Sequence, residues 1–140
     1  MALLRNAIVG AWQLKSFQAV DAASGESRQP LGPRPRGLIV YTADGWMSAQ
    51  LAPDDSDPEL SEYIAYCGPF DIDEQTAIVH HAVSMATMPD LLLAPQYRQV
   101  QISGDTLTLS ASSNDQNGAT IDSTLVWHRP SSHNERDRHA

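Results

Sequence analysis

One hairpin constrains the fold of this chain more than any other stretch. Leu38-Ile39-Val40-Tyr41 is aliphatic, β-branched and aromatic, and reads as a strand. Asp44-Gly45 follows as a two-residue turn signal, because glycine tolerates the positive φ of a tight hairpin. Trp46-Met47-Ser48-Ala49-Gln50-Leu51 is the return strand. Its even positions carry Trp46, Ser48 and Gln50, an aromatic platform and two hydrogen-bonding groups. If that face lines an enclosed space, it is a wall for a ligand.

The rest of the chain supplies partners for the hairpin. Apolar residues at Leu3, Leu4, Ala7 and Ile8 predict a short N-terminal helix that stops at Gly10. Alternation from Trp12 to about Val20 predicts a first strand, and the Gly-, Ser- and Pro-rich segment 21–36 a long loop. After Leu51, Ser56 or Asp57 can cap a short helix with Pro58 at its first position. There Leu60, Tyr63, Ile64 and Cys67 fall at helical spacing, and Gly68-Pro69 end it. Further strands are expected at 70–73, 77–85, 97–102, 107–110 and 120–128. Some eight strands joined mostly by hairpins favour an antiparallel barrel or a sandwich. Residues 1–129 read as one domain and 130–140, PSSHNERDRHA, as a disordered tail.

Composition excludes several classes of function. Nine basic residues against seventeen acidic ones give a net charge of −8, so no basic face is expected for nucleic acid or anionic membrane. The single cysteine, Cys67, excludes an internal disulfide and a multi-cysteine zinc site. The N-terminus carries neither the apolar core of a signal peptide nor a membrane span, and a cytoplasmic location is expected.

Several strings, in order, resemble one family. They are Gly10-Ala11-Trp12-Gln13-Leu14, Pro30-Leu31-Gly32-Pro33 and Arg36-Gly37-Leu38-Ile39-Val40-Tyr41-Thr42. Next come Asp44 to Leu51, Tyr63-Ile64-Ala65-Tyr66-Cys67-Gly68, His80-His81 and Gly104-Asp105-Thr106-Leu107-Thr108-Leu109. From about residue 8 to 129 the chain is similar to the lipocalin-like domain family of short intracellular bacterial and fungal proteins. The resemblance implies an all-β, eight-stranded antiparallel calyx with an internal small-molecule site, and a Trp12 plug at the barrel base. It does not imply one reaction, since some lipocalin-like proteins are cofactor-free cyclases or isomerases. The chain departs from the family pattern after the histidine pair, near Val83 and near Asp90-Leu91, where an acidic and an aromatic residue are expected.

Among groups that carry chemistry, His80 and His81 are the acid–base candidates, because imidazole alone titrates near neutral pH without help. On one strand they point to opposite faces, and the sequence leaves open which one faces inward. Two diverging histidines, and an acidic run at 54–62 without calcium-loop spacing, predict no metal site. Tyr66 or Arg98 is the candidate to stabilise an oxyanion. Tyr41, Trp46, Ser48, Gln50, Tyr63, Cys67 and Trp127 are candidate ligand contacts. The expected function is binding of a small, mostly apolar oxygenated molecule and its conversion, without a cofactor, as an isomerase, cyclase or dehydratase of secondary metabolism. The alternatives are a non-catalytic carrier or sensor, and a solid barrel that forms a homodimer.

Overall fold

The computed structural model describes residues 3–54, 63–93, 96–114 and 117–131. The elements are α1 (Leu4–Ile8), β1 (Gly10–Asp21), β2 (Ser27–Arg28), β3 (Arg36–Tyr41), β4 (Trp46–Ala52) and β5 (Ile64–Asp73). They continue as β6 (Ile78–His81), β7 (Met85–Ala86), α2 (Asp90–Leu93), β8 (Gln96–Ser103), β9 (Thr106–Asn114) and β10 (Thr120–His128). Eight strands pair in the order β1-β3-β4-β5-β6-β8-β9-β10, and β10 returns to β1, so the sheet closes into an antiparallel barrel. Short β2 adds to the far end of β1, and β7 continues alongside β5 where β6 stops. Closure gives each of the eight barrel strands a paired neighbour on both sides.

The hairpin from β3 to β4 forms as the sequence predicts, with one extra residue in its loop. Thr42 N–H donates to Trp46 O at 2.8 Å and Gly45 N–H to Thr42 O at 3.2 Å, leaving Ala43, Asp44 and Gly45 between the bonded pair Thr42 and Trp46. Gly45 takes φ 98°, the positive value that a three-residue loop needs at its last position.

The helix expected from Pro58 to Cys67 is corrected. Its first half lies outside the described residues, and Ile64 to Cys67 belong to β5. Pairing of Ile64, Tyr66 and Gly68 with Leu51, Ala49 and Met47 overrides the local helical spacing. Pro69 is tolerated because it sits where β5 leaves β6 for β7, at a bulge that needs no donor from it. The described short helix between strands is instead α2. Of the expected tail, residues 132–140 lie outside the described residues. Among the described residues, no helix is long and apolar enough to cross a membrane.

The barrel is packed solid at one end. Trp12 is fully buried there and donates its indole N–H to Ile8 O at 2.8 Å. The Arg129 guanidinium lies 3.7 Å from the Trp12 ring centre and donates to the carbonyls of Val9 at 3.0 Å and Ala7 at 2.6 Å. It thus ties the residue after the last strand to the end of α1 and covers the indole face. Ile39, Met47, Phe70, Val79, Leu107 and Trp127 fill the layer around this plug. α1 is held in turn by the Glu74 carboxylate, which accepts the backbone N–H groups of Leu4 and Arg5 at 2.8 and 3.0 Å.

Candidate functional site

Above that solid layer the barrel opens into a chamber of about 680 Å³. Strand alternation decides what lines it. On β4 the inward row is Met47, Ala49 and Leu51; on β5 it is Ile64, Tyr66, Gly68 and Phe70. On β8 Gln96 and Arg98 share the inner face with buried Val100, and on β9 and β10 Ala111, Ser113, Ser123 and Leu125 turn inward. Phe17, Leu51, Ile64 and Leu125 supply the apolar wall, with Met88 and Leu91 from the segment around α2 at the rim. The polar lining is Tyr66 from β5, Gln96 and Arg98 from β8, and Ser113 and Ser123 from the neighbouring β9 and β10. A mostly hydrocarbon cavity with a few placed polar groups is the usual form of a small-molecule site.

Arg98 is the dominant charge in this chamber. It is partly buried, donating Nη1–H to Tyr97 O at 2.8 Å and Nη2–H to Gln96 Oε1 at 2.9 Å. Both acceptors are neutral, and among the described residues no carboxylate forms an ion pair with it. A cation taken from water without an anion carries an uncompensated desolvation cost. The Tyr66 hydroxyl is held neutral, its pKa raised by burial, while Arg98 pulls the other way.

Beneath Tyr66 lies a sealed pair. His81 is 0 % exposed, and its Nε2 is 2.7 Å from the Tyr41 hydroxyl, itself buried. Burial, then Arg98, then His80 push the His81 pKa from 6.5 down to about 3, so the imidazole is neutral at physiological pH. The second ring nitrogen, Nδ1, has no hydrogen-bond partner among the described residues. A charged imidazolium would bury an N–H there with nothing to accept it, which reinforces the neutral form. Tyr41 is pushed well up, by burial first and Tyr66 second, against the pull of Arg98. His81 faces Tyr66 across 6.0 Å between ring centres, which makes the pair the floor on which the chamber stands.

The sequence candidates separate accordingly. Tyr66 and Arg98 line the chamber; His81, Tyr41 and Trp127 are buried below it, and the Trp127 indole N–H finds no acceptor among the described residues. The row Trp46, Ser48 and Gln50, expected as an inner wall, is corrected: it lies on the outer face. Trp46 is 52 % exposed, and Gln50 Nε2 donates to Ser48 Oγ at 2.8 Å on the same side. The reason is register: the wholly apolar odd row Met47, Ala49, Leu51 takes the core, and the even row must face out. Cys67 pairs with Ser48 on that outer face, and Tyr63 accepts from Arg36 Nη2 at 3.0 Å at the strand's outer end. His80 is outside as well, stacked on Tyr97 at 4.7 Å between ring centres, with Asp71 Oδ2 3.7 Å from its Nδ1. Gln96, Ser113 and Ser123 join the site without a motif of their own; for Gln96 the signal in the sequence is its parity on β8 with apolar Val100. Among the described residues no three His, Cys, Asp or Glu side chains gather closely enough to hold a metal ion.

A closed antiparallel barrel, plugged at one end and hollow at the other, is a calyx. The comparison with known families gives the same answer: two overlapping segments, residues 9–61 and 52–130, match the family of the lipocalin-like domain, and the chain belongs to that family. No curated protein matches it. Family and fold together suggest binding of a small molecule.

Proposed function

We propose that the barrel binds a small, mostly apolar molecule and holds an acidic or carbonyl oxygen of it at Arg98 and Tyr66. The observation that carries this reading is the partly buried guanidinium without a carboxylate partner among the described residues, opening on a mostly hydrocarbon chamber whose other polar groups are uncharged. An anionic oxygen supplies the missing countercharge, and the neutral Tyr66 hydroxyl adds a donor. The overall charge of −8 repels anions from the molecule at large, so any preference for an anionic ligand has to come from a local cation.

Calorimetric titration with octanoate and with 1-octanol, which share a tail and differ in charge, tests the proposal. Octanoate should bind about 10- to 100-fold tighter, the range expected of a charge-assisted hydrogen bond. In Arg98→Gln the two should bind alike. Equal affinities in the unaltered protein remove Arg98 from the site, and no binding of either compound removes the chamber reading altogether.

A second reading, cofactor-free isomerase, cyclase or dehydratase chemistry, is favoured by the Tyr41–His81 pair under the chamber floor. With its pKa near 3, His81 is a weak base, so its part in such a reaction is that of a neutral positioning group, bonded to Tyr41 and packed beneath the Tyr66 ring. Arg98 and Tyr66 then stabilise an enolate-like oxygen in the transition state. With a ligand identified, turnover separates the readings: a carrier leaves the ligand unchanged, whereas an enzyme converts it and His81→Gln lowers that turnover while keeping affinity.

A further inference from the structure

β8 and β9 do not pair along their whole length. Their ladder runs from Ser103↔Thr106 to Gln99↔Ser110 and ends there. Beyond that point Gln96, Tyr97 and Arg98 pair only with β6, while Ala111, Ser112 and Ser113 pair only with β10. Both strands continue as strands, so the barrel wall has a slit between them. Outside the slit lies a groove of about 590 Å³ on the outer face of β8, β9 and β10. Tyr97, Arg98, Ala111, Ser112 and Ser123 line both this groove and the inner chamber. In an intact sheet, neighbours along a strand face opposite sides and cannot share a cavity, so shared lining marks where inside and outside meet.

The groove differs from the chamber in chemistry. It carries Gln99, Ser110, Ser112, Asp122 and Thr124, amide, hydroxyl and carboxylate groups set in cross-strand register. Ser112 Oγ donates to Asp122 Oδ1 at 2.5 Å, which fixes that carboxylate. Tyr97 stands beside it 55 % exposed, yet its ring is held by stacking on His80 with the planes 20° apart. A fixed exposed aromatic ring next to a row of neutral and acceptor groups suits the apolar face and hydroxyls of a sugar or polyol.

We propose that the ligand is bipartite: its apolar body fills the chamber, its linking oxygen passes Arg98 in the slit between β8 and β9, and a hydroxylated head sits in the outer groove. The proposal rests on the chamber reading and extends it to a ligand class, an amphiphile with a glycosyl or polyol head.

The probe is n-octyl β-D-glucopyranoside below its micellar concentration, titrated beside 1-octanol and octanoate. The glucoside should bind at least about 10-fold tighter than octanol, as expected of a few net hydrogen bonds. The double variant Asp122→Ala, Thr124→Val, altered only in the groove, should lose that gain and leave octanol and octanoate unchanged, which also reports that the barrel is folded. If glucoside and octanol bind alike in both proteins, the bipartite ligand is overturned while the chamber stands. If none of the three compounds binds, the chamber reading falls first.

Discussion

At the scale of single residues, burial rather than identity sets what the histidines can do. His80 and His81 are adjacent, yet one is stacked against Tyr97 outside and the other is sealed against Tyr41 inside. Because the folded pKa of His81 is depressed to about 3 from 6.5, the unfolded chain binds the extra proton between those values. Stability contributed by the neutral imidazole is therefore fully present above pH 6.5 and is lost as pH falls towards 3. From pH 7.5 to pH 5 the loss is about 2 kcal/mol, from roughly 1.4 kcal/mol per pH unit below 6.5. Urea unfolding at the two pH values, on the natural chain and on His81→Gln, measures it. The glutamine retains a group for Tyr41 to bond but does not titrate, so its pH loss should be smaller by about that amount. Parallel pH profiles for the two proteins would show that His81 exchanges no proton on unfolding.

At the scale of elements, β5 is held between partners that leave no room for a side chain at Gly68. A Cβ there would come within 2.2 Å of the Ala82 carbonyl oxygen and 2.9 Å of the Ser84 nitrogen, backbone atoms that cannot swing aside. That contact marks the crossing from β6 to β7, where Ala82 N–H bonds Pro69 O and Ser84 N–H bonds Cys67 O. Gly68→Ala should therefore lower the unfolding free energy by more than about 2 kcal/mol, the range of a core steric clash. Gly104→Ala serves as the control, since a Cβ there meets no atom, although its φ of 59° adds a smaller strain. Similar midpoints for the two variants in denaturant would dismiss the crossing as a constraint. The same strand shows where the sequence was legible. Strands with alternation and turn residues, β1, β3, β4, β8 and β10, are found close to where the pattern puts them. The stretch Tyr63 to Cys67 is not, because i, i+3, i+4 apolar spacing and a strand's alternation coincide over so few residues. Row parity on β4 is readable from the wholly apolar Met47, Ala49 and Leu51, whereas the aromatic Trp46 imitates a core position on the face that turns out. The Arg129 clamp on Trp12 depends on a contact distant in sequence, and nothing in the residue pattern of β8 and β9 marks where their ladder ends.

At the scale of the whole molecule, the barrel divides its interior between stability and binding. The plugged end holds Trp12, Trp127, Tyr41, Phe70 and the leucine and isoleucine side chains that exclude water, and it needs nothing from a ligand. The open end leaves about 680 Å³ unfilled, with small residues, Ala111 and Ser123, facing one another across the β9–β10 ladder. Large side chains at that pair would fill the upper barrel as the lower one is filled, so their smallness is what makes the chamber. Filling it therefore separates the two functions of the interior. The double variant Ala111→Phe, Ser123→Phe, pointing into empty space rather than into packed atoms, should keep the far-ultraviolet dichroism, and its unfolding free energy should stay within about 1 kcal/mol of the natural chain's. Its affinity for octanoate should fall at least about 10-fold, because the tail loses the volume it occupied. A folded variant that still binds octanoate at full strength would place the tail outside the chamber, on the exposed face around Trp46 and Met85, and the barrel would then be a scaffold for its surface rather than a container.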